Sequence, residues 1–228
     1  MNEILTGFLR AIELMASLDP ELIDITARTL MISVSSTVLA SLIAVPVAAM
    51  IDLQDFRGKR ALLNIIQTLY SIPTVLVGLF VFLLISRSGP LGPLNLLFTP
   101  AGMVLGQTIL ILPLVTGFSI TALRSVKPEL RDLARSLGAT EFQVMLRVLE
   151  EARYAVMAAI ILGFGRAISE VGVAIMLGGN IRGFTRVITT AISLETSRGN
   201  LELSIALGII LLIISLAVNT VLNHFQEK

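Results

Sequence analysis

The chain has 228 residues, 55% of them hydrophobic and only 14% charged, with a mean hydropathy of +0.89 and a formal net charge of +1. Such apolar content excludes an ordinary water-soluble globule and a disordered chain, and points to the bilayer. The absence of cysteine excludes disulfides and thiolate metal sites, and no metal site is expected.

In chain order, Ile4, Leu5, Phe8, Ala11, Ile12 and Met15 recur at helical spacing until Asp19-Pro20 ends the run. About fifteen residues are too few to span the hydrocarbon. Residues 1–24 are therefore read as an amphipathic helix, lying in the interface or packed on the periphery. No basic start followed by a cleavable small-residue site marks a signal peptide. Residues 25–225 form one transmembrane domain. Five runs are long and apolar enough to cross: Thr29–Ile51, Leu62–Ile85, Ala101–Leu123, Tyr154–Gly178 and Leu203–Leu222. Continuous apolarity without alternation predicts helices, not a barrel. The fold class is thus an all-α membrane protein with five core spans plus the N-terminal helix.

The connections follow from breakers and charge. Residues 52–60 make a short basic turn. Gly89-Pro90, Gly92-Pro93 and Pro100 mark an irregular loop, and Gly178-Gly179-Asn180 closes the fourth span. Residues 181–200 leave the hydrocarbon, with a short re-entrant or surface helix expected over Val187–Leu194. Between Arg124 and Arg153 lies a charged island flanked by charge-free stretches, Ser88–Leu123 and Tyr154–Gly165. It must sit outside the membrane. Pro128 and Glu129 suit the first turn of a helix, Gly138 suits its reversal, and Thr140 suits the cap of a second helix. Two short helices meeting at a glycine form either a docking element or a plain solvated hairpin.

Placing the island in the cytoplasm puts ten basic residues inside (Arg57, Lys59, Arg60, Arg124, Lys127, Arg131, Arg135, Arg147, Arg153, Lys228) against six outside. That bias sets the N-terminus outside and the C-terminus in the cytoplasm. Within the fourth span, Arg166 and Glu170 stand four apart and are expected to share a face as an intramembrane ion pair. The pair either locks helices together or takes part in gating. Gly163, Gly165, Gly172, Gly178 and Gly179 suggest close packing at a dimer interface, or tolerance of bends. Ser71, Thr74, Thr108, Thr116, Ser119, Ser169 and Asn180 are candidate donors along an anion pathway or gate. Most such hydroxyls bond their own backbone. Pro46, Pro73 and Pro113 are candidate bend points.

The island also resembles a known family. Asp132-Leu133-Ala134-x-x-x-Gly138 is similar to the EAA motif of ABC importer permeases, with Asp132 in place of Glu, Leu133 in place of the first Ala, and Leu149-Glu150 where Leu-Pro often stands. Residues 98–107 with Leu112-Pro113, then 164–172 and 176–181, resemble the molybdate and tungstate branch. Residues 185–196 resemble its tungstate-specific subgroup.

The resemblance implies a type I importer permease. Its coupling helix, carried here by Glu129, Asp132, Leu133, Ala134, Leu137, Gly138 and Ala139, would fit a cytoplasmic ATPase. It implies a homodimer working by alternating access in the cytoplasmic (inner) membrane. The partners are two ABC ATPase subunits, an extracytoplasmic oxyanion-binding protein and lipid, with no nucleic acid. ATP-Mg belongs to the partner ATPase, and no cofactor is expected on this chain. The cargo is tungstate, with molybdate or sulfate as alternatives. No phosphate-binding Gly-x-x-x-x-Gly-Lys-Ser/Thr loop occurs, so the chain is not the ATPase. An enzyme is not expected, since the single histidine, His224, lies in the tail. An ion-coupled secondary transporter, which would usually show inverted repeats, is the remaining rival.

Overall fold

A computed structural model describes residues 2–226, and the surroundings of side chains 7–221. Ile4, Leu5, His224 and Lys228 lie outside those described side chains. The elements in order are α1 (Asn2–Ala16), α2 (Pro20–Leu53), α3 (Lys59–Leu69), α4 (Thr74–Ile85), α5 (Pro100–Arg124), α6 (Pro128–Ser136), α7 (Glu141–Glu151), α8 (Arg153–Ile168), α9 (Gly172–Gly178), α10 (Ile188–Ser197) and α11 (Leu201–Gln226). No strand occurs among the described residues.

The joint between α1 and α2 is chemically explicit. Leu18 turns with a positive φ of 53°. The Asp19 carboxylate accepts from Glu21 N at 2.9 Å and Leu22 N at 3.2 Å, with Pro20 in the first helical turn. Helix α2 then runs for 34 residues, roughly 51 Å at about 1.5 Å per residue, which exceeds the hydrocarbon thickness of about 30 Å. Pro46 and Pro113 sit inside α2 and α5 without ending either.

Three helices are long and apolar enough to cross a bilayer on their own: α2, α5 and α11. The other two expected spans are broken. Helices α3 and α4 meet at 100°, and α8 and α9 at 60°. The chain therefore makes five crossings only if each bent pair counts as one. The span expected to run uninterrupted over Leu62–Ile85 is broken at residues 70–73. Pro73 disfavours helical geometry at Ile72, and i→i−3 bonds from Tyr70, Ser71 and Ile72 tighten the end of α3. At 12 residues, about 18 Å, α4 is too short to cross alone.

Helix α5 is the hub. Its most apolar window is 61% buried, against 17% for α11, which is peripheral. Helix α5 packs on α2, α8, α9, α3 and α4. One apolar cluster joins α2, α4, α5 and α9 around Ile32, Val81, Met103 and Leu177. A second joins the C-terminal ends of α2 and α5 to α3, α7 and α8. A third joins α1, the start of α2, α10 and α11. Helix α1 buries Ala11 in this third cluster and leaves Phe8, Leu9 and Ile12 exposed, so one face is packed and the other is apolar and open.

The expected helix over Val187–Leu194 exists as α10, but Val187 through Ala191 are buried, so it is an inserted element and not a surface one. Four of the five glycines read as dimer-interface candidates are used within the chain. A Cβ on Gly163 would fall 2.5 Å from Val115, on Gly172 2.9 Å from Thr74, on Gly178 2.5 Å from Met103, and on Gly179 2.9 Å from Phe98. Gly165 alone of the five meets nothing within 4 Å.

Candidate functional site

The island folds as the sequence foretells. Helix α6 ends in paired backbone bonds, Gly138 N to Arg135 O at 2.9 Å and Ala139 N to Ala134 O at 3.1 Å, with Gly138 at φ 84°. Thr140 and Gln143 form a reciprocal cap for α7. Across this elbow the Arg135 guanidinium grips Glu141 with two prongs, Nε at 2.8 Å and Nη2 at 3.0 Å. That bond holds the Glu141 carboxyl below its ordinary range and pushes the Arg135 guanidinium higher still.

The elbow has two faces. Leu130, Ala134 and Ala139 pack inward with Val144 and Val148 against the ends of α2, α5 and α8. Glu129, Asp132 and Gly138 are exposed, as are Leu133 (59%) and Leu137 (79%). Helix α7 adds exposed Phe142 and Leu146. The seven residues named for coupling thus divide into five that face outward and two alanines that seat the elbow. Leu133, Leu137, Phe142 and Leu146 thus leave large apolar side chains exposed on a segment too charged for the bilayer, the kind of surface that can receive a partner.

Beneath the elbow lies a cluster that sequence reasoning missed. Asp52, at the end of α2, has a buried side chain (4% exposed). Its carboxylate meets Arg131 of α6 at 2.7 Å and Arg124 of α5 at 3.5 Å, and Lys59 donates to its backbone carbonyl at 3.0 Å. Arg131 also donates to the Leu123 carbonyl at 2.9 Å. The sequence held a signal: an acid at the end of a charge-free run, beside a basic turn.

The pathway candidates separate. Ser71, Thr74 and Ser169 fall at the two helix breaks, and the breaks touch, since Gly172 lies against Thr74 Oγ1 and Val75 N. Ser71 and Ser169 are exposed. Thr108 is buried on α5, where its hydroxyl donates to Val104 O at 2.7 Å and lies 3.4 Å from Ser36 O. Thr116 bonds Leu112 O. The Ser119 hydroxyl is buried with no partner. Asn180 is at the far end of α9, where it exchanges hydrogen bonds with Thr190. A buried pair missed from sequence, Gln107 on α5 and Ser36 on α2, joins these two helices at 3.1 Å.

Arg166 and Glu170 do not form the expected pair; no ion pair joins them among the described residues. Helix α8 stops at Ile168, so the i,i+4 geometry is lost. Glu170 is buried and instead accepts from Val173 N at 3.1 Å, pairing an N–H in the first turn of α9, while its own carbonyl accepts from Thr189 at 2.7 Å. Arg166 is half-buried in the last turn of α8.

Opposite the island, the segment 185–190 folds inward. Arg186 (5% exposed) lies 3.5 Å from Glu195 and 3.6 Å from Glu21. Arg28 grips Asp24 and donates to Arg186 O at 3.3 Å, and Thr29 Oγ1 accepts from Ile188 N at 2.9 Å. The start of α2 therefore holds this segment, just as its end holds the island.

Residues 39–228 match the family described as binding-protein-dependent transport system inner membrane component. The chain belongs to this family. It is a transporter's membrane-spanning subunit and not an enzyme. It is 43% identical over 212 residues, 91% of each chain, to a probable anion ABC transporter permease protein of Haloferax volcanii. It is 37% identical over 228 residues, the full length of both, to the tungstate uptake system permease protein TupB of Peptoclostridium acidaminophilum. Among solved structures, a bacterial ABC transporter involved in import of the acidic polysaccharide alginate superposes with a TM-score of 0.76 at 21% identity, covering 100% of this chain and 89% of that one. The fold is that of the type I ABC importer permeases.

Proposed function

We propose that this permease is the membrane subunit of an ATP-driven importer for a tetrahedral oxyanion, and that the oxyanion is tungstate. The observation that carries the transporter class is the exposed α6–α7 elbow on a helix bundle of importer-permease fold. The cargo rests on full-length kinship to a tungstate permease and on the 43% identity to a probable anion permease.

In this reading two copies of the chain surround one path. The island faces the cytoplasm, where each elbow presents Leu133, Leu137 and Asp132 to an ABC ATPase subunit that holds ATP-Mg. An oxyanion-binding protein delivers cargo at the other side, where the N-terminus lies. The path passes the paired helix breaks. Ser71 and Ser169 are exposed there, and α4 begins with N–H groups free of helical partners. Hydroxyls and peptide N–H groups hold a dianion without the deep trap that a fixed cation would make. ATP closes the ATPase pair, and the elbow carries that closure to the spans.

The test is reconstitution of the permease with its ATPase and the binding protein encoded beside it. ATP-dependent tungstate uptake, with tight tungstate and weak molybdate binding by the binding protein, supports the reading. A binding protein that prefers molybdate or sulfate would move the cargo assignment. Purification without any associated ATPase would remove the coupling role given to the elbow.

A further inference from the structure

We infer that Asp52 is the joint through which movement of the elbow enters the bundle, and that α2 carries it to the segment 185–190 at the opposite end. This deepens the functional reading above and rests on it.

Asp52 meets two basic side chains, only one of which belongs to the elbow. Arg124, at the end of α5, is only a flank, 46% exposed and 3.5 Å away. Arg131 is the tie from α6 itself. Its Nη2 bridges Asp52 Oδ2 at 2.7 Å and the Leu123 carbonyl at 2.9 Å, so one guanidinium clamps the ends of α2 and α5 together. The Asp52 carboxylate is buried, where a charged hydrogen bond is short, directional and little screened by salt. The remaining seat of α6 is apolar, Leu130 and Ala134 against the second cluster. Apolar burial is non-directional, whereas a bridging guanidinium fixes a direction.

From Asp52 the helix is continuous back to Pro20. Near its other end Thr29 accepts from Ile188 N, and Arg28 donates to Arg186 O. Both ends of one rod are thus pinned by polar bonds to separate loops, the island and the inward-folded segment. A continuous helix pinned at both ends, with Pro46 as its candidate bend point, is one physical route by which distant sites couple. Arg131 and Asp52 are positioning residues in this account, since neither touches cargo or nucleotide.

The experiment uses vesicles holding the full complex with ATPase and binding protein. The chain has no cysteine, so Phe184→Cys, at a half-exposed position on the far loop, places one fluorophore per copy when the permease is labelled before it is assembled with its partners. Arg131→Gln is expected to lower oxyanion moved per ATP hydrolysed by roughly tenfold, the size of an ordinary coupling between two sites. It is also expected to abolish the ATP-dependent signal at position 184. Arg131→Lys should restore part of both. Asp52→Asn should match Arg131→Gln, and the double variant should be no worse than either, because both remove one tie. If Asp52→Asn fails to accumulate in the membrane, Arg131→Gln decides alone, since it leaves Asp52 with Arg124. Arg147→Gln, which breaks an exposed pair on α7, is the control. An unchanged yield per ATP in Arg131→Gln, with an intact signal at 184, overturns the joint. Wild-type vesicles that take up no oxyanion overturn the functional reading beneath it.

Discussion

Gly117→Ala tests the packing that sets the first helix break. Gly117 lies in α5 directly under the ring of Tyr70, the residue that ends α3. A Cβ there would stand 1.4 Å from Tyr70 Oη, 2.6 Å from Cζ and 3.1 Å from Cε1. The overlap is with a single rigid ring, so the ring must swing out. It would give up its stacking on Phe118, now at 5.7 Å between centroids and 12° between planes. Overpacking of this kind costs about 1–3 kcal/mol, and the stack about 0.5–1.5 kcal/mol. Alanine returns about 0.8–1 kcal/mol of helix propensity. The net loss is about 2 kcal/mol, or roughly 4–8 °C in Tm for a chain of this size. In a Tyr70→Ala background the obstruction is gone and only the propensity gain remains, so the same substitution should raise Tm by about 2–4 °C. Tyr70→Phe should rescue only in part, because Cζ still stands at 2.6 Å. The assay is thermal unfolding in detergent, followed by size-exclusion of a fluorescent fusion. Since Tyr70 directly precedes the exposed Ser71, uptake by vesicles should fall alongside. Equal Tm losses from Gly117→Ala in both backgrounds would refute the reasoning.

Further outcomes are expected from the same contacts. Leu137→Asp, on the outward face of the elbow, should weaken co-purification of the ATPase at least tenfold while membrane insertion is kept, because it puts a charge into a desolvated docking face; pull-down at fixed membrane content measures this. Asp132→Arg and Gly138→Trp should uncouple ATP hydrolysis from uptake in vesicles, and normal uptake would exclude the elbow as the coupling element. Glu170→Ala should destabilise the chain by about 1–3 kcal/mol by leaving the buried Val173 N–H unpaired, whereas Glu170→Gln, which keeps an accepting oxygen, should cost less. The Arg135–Glu141 grip has a definite pH sign. A carboxyl held below its ordinary value contributes above about pH 4.3 and loses that contribution as pH falls through its depressed value. Proteolysis at the elbow should therefore rise only below about pH 4.3, and Arg135→Ala should remove the dependence.

Residue order alone settled much of this protein. Long apolar runs, four of the five free of charge, fixed its class, because burying charge in hydrocarbon is costly at every position of a span. Pro128, Gly138 and Thr140 fixed the elbow, because caps and left-handed turns are local and need no tertiary partner. The Asp132 to Gly138 pattern pointed to the family. Tertiary structure decided the rest. Apolar runs look alike whether straight or broken, so the 100° and 60° bends were invisible in composition. Spacing of four places Arg166 and Glu170 together only if the helix continues, and it ends between them. Small glycines could not say whose side chain would fill them, and four of five turned out to receive neighbours in the same chain. Asp52 became important only when residues 72 and 79 positions further on, Arg124 and Arg131, closed over it. A contact across that distance depends on how helices cross, and no local pattern encodes it.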